Sequence, residues 1–232
     1  MTGRADRLAR YLALAAKHPE QFATPPGGAV VALDPDGIAA IEATVGDRLE
    51  ARGLPRDWAT VGVHYEDPYL FLMRDAITYA DGTRVIHHRI GRPGFGDRSG
   101  AAVLPVMEGR VLLLRHFRHA TRSWQLEIPR GMIEPGATAA ETAVTELAEE
   151  MGAVATSVVH LAPMHTSTAL SGAAVELFHA TVSSIGAPQA SEGIAGIEAL
   201  PVPELEAMIR DGRITDACTL GAVLHARLRG LL

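Results

Sequence analysis

Cysteine is nearly absent. Cys218 is the single one in 232 residues, which excludes an internal disulfide framework and any zinc site built on several cysteines. That usage suits a reducing compartment, and a cytoplasmic location is the expectation. Long apolar runs are missing as well. No stretch approaches the ~18–20 residues of a membrane span, so no membrane partner is expected. At the N-terminus Arg4, Asp6, Arg7 and Arg10 interleave with apolar residues instead of preceding an apolar block, and no signal peptide is expected. A basic excess is lacking too: the formal net charge is −6 and the pI about 5.9. Non-specific nucleic-acid binding needs a basic surface, so no nucleic-acid partner is expected. A nucleotide is not excluded, because a metal and a few arginines can meet its charge. Internal repeats and low-complexity segments are absent. The glycine-rich GRPGFGDRSG at 91–100 has neither the lysine nor the spacing of a phosphate-binding P-loop; it reads as a crossover between two sheet regions.

What is present is enough apolar material for a sizeable core: 47% of residues are hydrophobic. The length fits one large domain, or a main domain with a smaller one. Residues 4–17 read as a helix stopped by His18-Pro19. ATPPGG at 23–28 reads as a turn or linker. Asp36 is a candidate cap for a second helix with Ile38, Ile41, Val45 and Leu49 on one face. From Ala59 the period changes to that of strands. Residues 60–65 and 69–79 look extended, and Asp81-Gly82 signals a hairpin into 84–90. His87 and His88 point to opposite faces of that strand and are poorly placed to chelate one metal. A hairpin turning at Glu108-Gly109 follows, then a strand at Trp124, Leu126 and Ile128. Beyond 153 the pattern gives a strand at 154–161, a polar loop at 165–172 and a strand at 174–182. Pro203 reads as the first residue of a helix ended by Gly212, and Thr215 or Asp216 caps a last helix to about Leu228.

The chemistry concentrates in GMIEPGATAAETAVTELAEEMGA, Gly131 to Ala153. Thr138 with Glu141 is a capping-box pattern, and Gly152 suits a left-handed helix end. Ala140, Ala143, Val144, Leu147 and Met151 fall on one face at helical spacing. Glu146, Glu149 and Glu150 stand at i, i+3 and i+4, where bare carboxylates repel by a few tenths of a kcal/mol per pair. A divalent cation turns that repulsion into a purpose: hard cations take oxygen ligands and bind carboxylates together with substrate phosphates. A solvated acidic face is the bland alternative. Arg118 suits bidentate phosphate contact, although spacing alone favours a surface ion pair.

The spacing resembles the Nudix box, G-x5-E-x7-R-E-U-x-E-E-x-G-U with U aliphatic. Gly131, Glu146, Leu147, Glu149, Glu150 and Gly152 fall in register. Ala137 stands where the family has Glu, Thr145 where it has Arg, and Ala153 is a small final aliphatic. The flanks resemble the ADP-ribose and nucleotide-sugar pyrophosphatase branch. Arg115-His116-Phe117-Arg118 stands for R-Q-Y-R, Glu127-Ile128-Pro129-Arg130-Gly131 for E-[LI]-P-A-G, and Gly212 to Leu224 for the branch's C-terminal segment.

The resemblance implies an α/β fold: a Nudix α/β/α sandwich with a mixed sheet, plus an N-terminal helical and antiparallel-sheet region. The expected division is 1–58 helical extension, 59–98 antiparallel sheet and 99–232 Nudix domain. It further implies a Mg²⁺-dependent (or Mn²⁺-dependent) hydrolase. Such an enzyme cleaves the pyrophosphate of a nucleoside diphosphate-linked substrate, ADP-ribose or a nucleotide sugar, to a nucleoside monophosphate and a sugar phosphate. Two subunits commonly pair in that branch, so a homodimer is expected. Glu146, Glu149 and Glu150 are the implied metal ligands and catalytic carboxylates. The carbonyl of Arg130 and the Glu134 side chain are further metal contacts, and Arg118, Arg89 and Met132 are substrate contacts.

Aligned on Phe178 and Ala180, Ala173 stands where the branch often has a loop Glu that serves as base. Either a box carboxylate activates the water, or Glu176 is recruited, or the activity differs. These departures motivate a second reading, a nucleotide-binding sensor or scaffold with little or no turnover. A Nudix-fold isomerase using Cys218 is a third.

Overall fold

In this computed structural model residues 3–92, 98–187 and 193–232 are described, the side chains of 98 and 99 excepted. The crossover expected over 91–100 therefore falls, at 93–97, outside the described residues. The chain divides into two units, Met1–Gly96 with Ser167–Gly172, and Asp97–Thr166 with Ala173–Leu232.

In the first unit, α1 (Arg4–Lys17) ends at His18, and Pro19 opens a short 3-10 turn. Helix α2 (Pro35–Glu50) is capped by Asp34, whose Oδ1 accepts the Gly37 N–H at 2.6 Å. The cap thus lies two residues before the expected Asp36, because Pro35 takes the first helical position, where its missing N–H costs nothing. Strands β1 (Val30–Val31), β2 (Gly62–Glu66), β3 (Phe71–Thr78) and β4 (Arg84–Gly91) form an antiparallel sheet. Strand β3 pairs with β4 along its length, and with β2 and β1 in turn on its other edge. Gly62 has φ +133°, and a Cβ there would lie 2.8 Å from the Arg7 carbonyl carbon, so α1 can cross β2 only over a glycine.

A buried polar lock ties α1 to this sheet. The Tyr11 hydroxyl donates to Asp75 Oδ1 (2.8 Å), and Arg89 grips the same carboxylate through Nε (2.6 Å) and Nη2 (2.9 Å). Arg89 Nη1 also donates to the Gln21 carbonyl at 2.8 Å, and its guanidinium lies 4.6 Å over the Phe22 ring.

The second unit is built on β5 (Arg98–Met107), β6 (Arg110–Arg118), β7 (Ser123–Glu127), β8 (Arg130–Gly131), β9 (Val154–His165), β10 (Ala174–Ser184) and β11 (Ile194–Pro201). The sheet order is β11-β6-β5-β10-β9; β10 runs parallel to β5 and the other pairs are antiparallel, so the sheet is mixed. Strands β5 and β6 turn at Glu108-Gly109, both at positive φ, as a tight hairpin requires. They pair only beside the turn, at Val106↔Val111 and Met107↔Arg110, and then splay. The 123–131 segment enters the gap, β7 against β6 and β8 against β5.

Alternation along the central strands builds two cores. Ala101, Val103, Leu112, Leu114, Phe178 and Ala180 pack with α3 (Ala139–Met151). Ala102, Leu104, Val111, Leu113 and Leu177 pack on the opposite face with α4 (Val202–Arg210) and α5 (Ala217–Leu228). One helix on one face and two on the other make an α/β/α sandwich. Strand β11 lies where no element was expected. Gly196 breaks its alternation, and the strand is held by pairing with β6, which local pattern does not encode. Pro203 is the second residue of α4 and not the first.

Candidate active site

Helix α3 starts where its capping box lies: Thr138 Oγ1 accepts the Glu141 N–H (3.2 Å), and Glu141 Oε2 accepts the Thr138 N–H (2.8 Å). It ends at Gly152 with φ +57°. The buried stripe is Ala139, Thr142, Ala143, Leu147, Glu150 and Met151. Ala140 and Val144, expected on that stripe, are exposed. The stripe is centred on the 143–147 line, and the helical period carries 140 and 144 off its edge. The three glutamates therefore do not share one outward face. Glu149 is exposed, Glu146 half-buried, and Glu150 is 2% exposed at the margin of the core.

Each inward carboxylate meets the β8 backbone. Glu150 Oε2 accepts the Arg130 N–H at 3.0 Å. Glu146 lies against Gly131, where a Cβ would fall 1.6 Å from its Oε1. The glycine leaves the space that the carboxylate fills. Beside it an open groove of about 520 Å³ is lined by Arg130, Gly131, Met132, Glu134, Glu146 and Glu149, and also by Ala137 and Thr145. Met132 and Glu134 are both exposed there. The two departures from the box thus border the same groove.

Behind the groove is a network centred on Glu127, which is fully buried. Its Oε1 is met by Arg118 Nη2 and, at 3.2 Å, by His116 Nδ1; its Oε2 faces Arg130 Nη2 at 3.3 Å. Arg130 Nη1 also reaches Asp216 Oδ1 (3.2 Å) and Cys218 Sγ (3.7 Å). Asp216 caps α5, its Oδ2 accepting from the Thr219 N–H (2.9 Å) and hydroxyl (2.8 Å). The Thr219 oxygen in turn accepts the Ile128 N–H at 3.1 Å. Burial opposes the charge on Arg130, but Asp216 and Glu127 outweigh it and the guanidinium is held protonated. Asp216 caps the last helix as expected, but the sequence pointed neither to its contact with Arg130 nor to the parts that Glu127 and Thr219 play here. The available signal was an acid closing a short strand in which Trp124 and Leu126 alternate with polar residues.

Arg118 is engaged with Glu127 and does not line the groove. Arg89 belongs to the first unit, where Asp75 holds it. Glu176 is buried on β10, its Oε2 2.5 Å from His160 Nε2. Its strand neighbour is Ala101, which pairs in turn with Gly131, so the three share one row of the sheet. Cys218 is fully buried and its thiol is pushed up by burial. A thiol kept protonated and out of solvent does not suit the nucleophile of an isomerase.

Among the described residues no three His, Cys, Asp or Glu side chains converge into a ready-made metal cage. The donors nevertheless fit a hard cation. They are the Glu146, Glu149 and Glu134 carboxylates along one groove that Arg130 also lines, with Glu146 seated against Gly131.

An α/β/α sandwich that sets a glycine–glutamate cradle at the rim of a groove defines a class. The Nudix domain family model matches residues 96–218, and the chain belongs to the Nudix family. A 76-residue segment, 33% of this chain, is 30% identical to the ADP compounds hydrolase NudE of Escherichia coli (strain K12) and spans 39% of that protein's length. A solved structure described as an ADP compounds hydrolase superposes with a TM-score of 0.61, covering 74% of this chain and 92% of that one at 18% identity. The chain thus carries a Nudix domain and is similar, over part of its length, to an ADP compounds hydrolase. No helix among the described residues is long and apolar enough to cross a membrane.

Proposed function

We propose that this protein is a Mg²⁺- or Mn²⁺-dependent hydrolase that splits the pyrophosphate of a nucleoside diphosphate-linked substrate, ADP-ribose or a nucleotide sugar. The products are a nucleoside monophosphate and a sugar phosphate. The observation that carries the reading is the paired seating of Glu146 on Gly131 and Glu150 on the Arg130 N–H beside an open groove.

When bound, a divalent cation polarises the phosphate and lowers the pKa of an attacking water. Glu146, Glu149 and Glu150 would hold it, with the Arg130 carbonyl and Glu134 completing the set. The chain's own residues do the rest. The groove excludes bulk water from one side of the diphosphate, and Met132 offers an apolar contact to the sugar or base. Glu149, the most exposed of the three box carboxylates, is placed to take the proton from water as its oxygen bonds to phosphorus and the bridging P–O bond breaks. Arg118 lies outside the groove lining but is 30% exposed, and a substrate extending past the groove would meet the N–H groups beyond its Glu127 contact. Phosphoryl transfer asks for positioning and charge more than covalent chemistry, which suits this inventory. By family likeness we extend the proposal to a homodimer, which light scattering would test.

The test is a panel of ADP-ribose, nucleotide sugars, dinucleotides and nucleoside triphosphates with Mg²⁺ or Mn²⁺, products resolved by mass. Glu150→Gln keeps an oxygen for the Arg130 N–H, so its fold survives while turnover collapses. Full activity in both Glu150→Gln and Glu149→Gln sinks the metal assignment. The second reading, a nucleotide sensor, draws on the charges missing at Ala137, Thr145 and Ala173. Tight nucleotide binding by calorimetry with no product under any metal would select it.

A further inference from the structure

The motif that this chain resembles commonly carries alanine where Arg130 stands, so its guanidinium is a departure from that pattern. The peptide groups of the segment are held one by one. The Ile128 N–H goes to Thr219, the Pro129 carbonyl accepts from the Val103 N–H (3.0 Å), and the Arg130 N–H goes to Glu150. Arg130 links an α3 carboxylate to the α5 cap. Its backbone touches Glu150 while its guanidinium bridges Glu127 and Asp216. Those partners are 0% and 8% exposed, so the guanidinium is anchored on two buried carboxylates.

The charges also close. Glu127 and Asp216 carry two negative charges, Arg118 and Arg130 two positive, so the cluster is neutral without His116. Removing Arg130 leaves a buried surplus of negative charge directly behind the peptide that orients Glu150. Buried carboxylates without a counter-charge move, or gather protons or water.

We propose that Arg130 is a positioning residue. Its guanidinium, anchored on Glu127 and the α5 cap Asp216, locks the peptide that holds Glu150 and whose carbonyl would be a ligand of the cation. This rests on the metal site proposed above. Groups that orient metal ligands typically alter metal affinity about 10–100-fold when removed, and the same range is expected here.

Three variants test it: Arg130→Ala, Arg130→Lys and Asp216→Asn. The asparagine keeps an oxygen to cap α5 through Thr219 while removing the charge opposite Arg130, so it separates anchoring from helix capping. Mn²⁺ binding is measured by calorimetry and by the Mn²⁺ electron paramagnetic resonance signal, with circular dichroism to verify folding. Arg130→Ala is expected to weaken Mn²⁺ at least about 10-fold, Asp216→Asn to weaken it less, and Arg130→Lys to recover part of the loss. The Mg²⁺ concentration for half-maximal activity should rise in the same order, with little change in substrate KM at saturating metal. Folded Arg130→Ala and Asp216→Asn proteins that bind Mn²⁺ within about twofold of the unaltered protein overturn the proposal; if Arg130→Ala does not fold, Asp216→Asn decides alone. A failure of the unaltered protein to bind Mn²⁺ refutes the metal site itself, which is a different result.

Discussion

Replacing Gly131 by alanine should damage the site while sparing the fold. The added Cβ would sit 1.6 Å from Glu146 Oε1 and 2.2 Å from its Cδ, whereas ordinary contacts begin at 3.4 Å. Something has to retreat by about 2 Å. The candidate is the Glu146 carboxylate, the far end of a flexible, half-buried side chain, because Gly131 is fixed in β8 by pairing with Ala101. Metal–oxygen bonds tolerate about 0.2 Å of error, so the displaced group no longer reaches the same ion. Losing one of three carboxylates should cost at least the ~10–100-fold in affinity seen for misoriented ligands, about 1.4–2.7 kcal/mol. The fold has no reason to suffer. Gly131 is not in the left-handed region, and alanine restricts the unfolded chain, a gain of about 0.4–1 kcal/mol where the native backbone accepts it. Mn²⁺ titration and a thermal melt on the same preparation separate the two effects. The expected result is weaker metal binding with Tm unchanged or slightly higher. Unaltered Mn²⁺ affinity, or a melt lowered by many degrees, refutes the reasoning, because either means that Glu146 is not the group that yields.

Restoring the box charges should act by sign. Thr145→Arg alone weakens Mn²⁺ binding, Ala137→Glu alone strengthens it, and the double variant returns near the starting affinity; singles that move together contradict this. Arg89→Ala strips the cation from Asp75, which is 2% exposed, and should destabilise by about 3 kcal/mol, the low end for breaking a buried pair. Urea denaturation reads it, and a loss under about 1 kcal/mol makes the pair dispensable. Burial holds His64, His88 and His179 below the ordinary imidazole value of 6.5. The unfolded chain then binds more protons than the native one as pH falls through that value, so stability is full above it and lost below it. Melts should drop from pH 7 to pH 5.5, before the carboxylates titrate, and His179→Leu should flatten part of that slope; a pH-independent melt over this window removes the assignment.

The local signals were legible because they are local. A capping box, a left-handed glycine and a tight hairpin each fix a boundary within a few residues, and the structure shows all three. Apolar runs on either side of the Glu108-Gly109 turn revealed β5 and β6, and a further strand was legible at 174–182; the central strands bury both faces, one toward α3 and the other toward α5. What was hidden depends on partners far along the chain. Strand β11 exists through β6, about eighty residues away. Glu127 acquires meaning only when His116, Arg118, Arg130 and α5 close around it, and no spacing rule links 127 to 216. The helical face of α3 was misdrawn for a related reason. Periodicity gives an apolar stripe, but the buried member at its edge is a glutamate, which only a hydrogen bond from another segment allows.

That hydrogen bond also bears on the box's missing pair. With Glu at 137 and Arg at 145 the groove would gain one negative and one positive charge, so losing both leaves its net charge unaltered. The attraction for a cation, which scales with net charge at a few ångströms, is therefore preserved, and what disappears is local restraint on the neighbouring carboxylates. In this chain the restraint comes from the strand side. Glu146 is seated against Gly131 and Glu150 is held by the Arg130 peptide. Arg130 introduces a guanidinium beside the proposed metal face, but Glu127 and Asp216 neutralise it. It can brace the ligands without repelling the cation, which an arginine within the groove could do only with its own glutamate beside it.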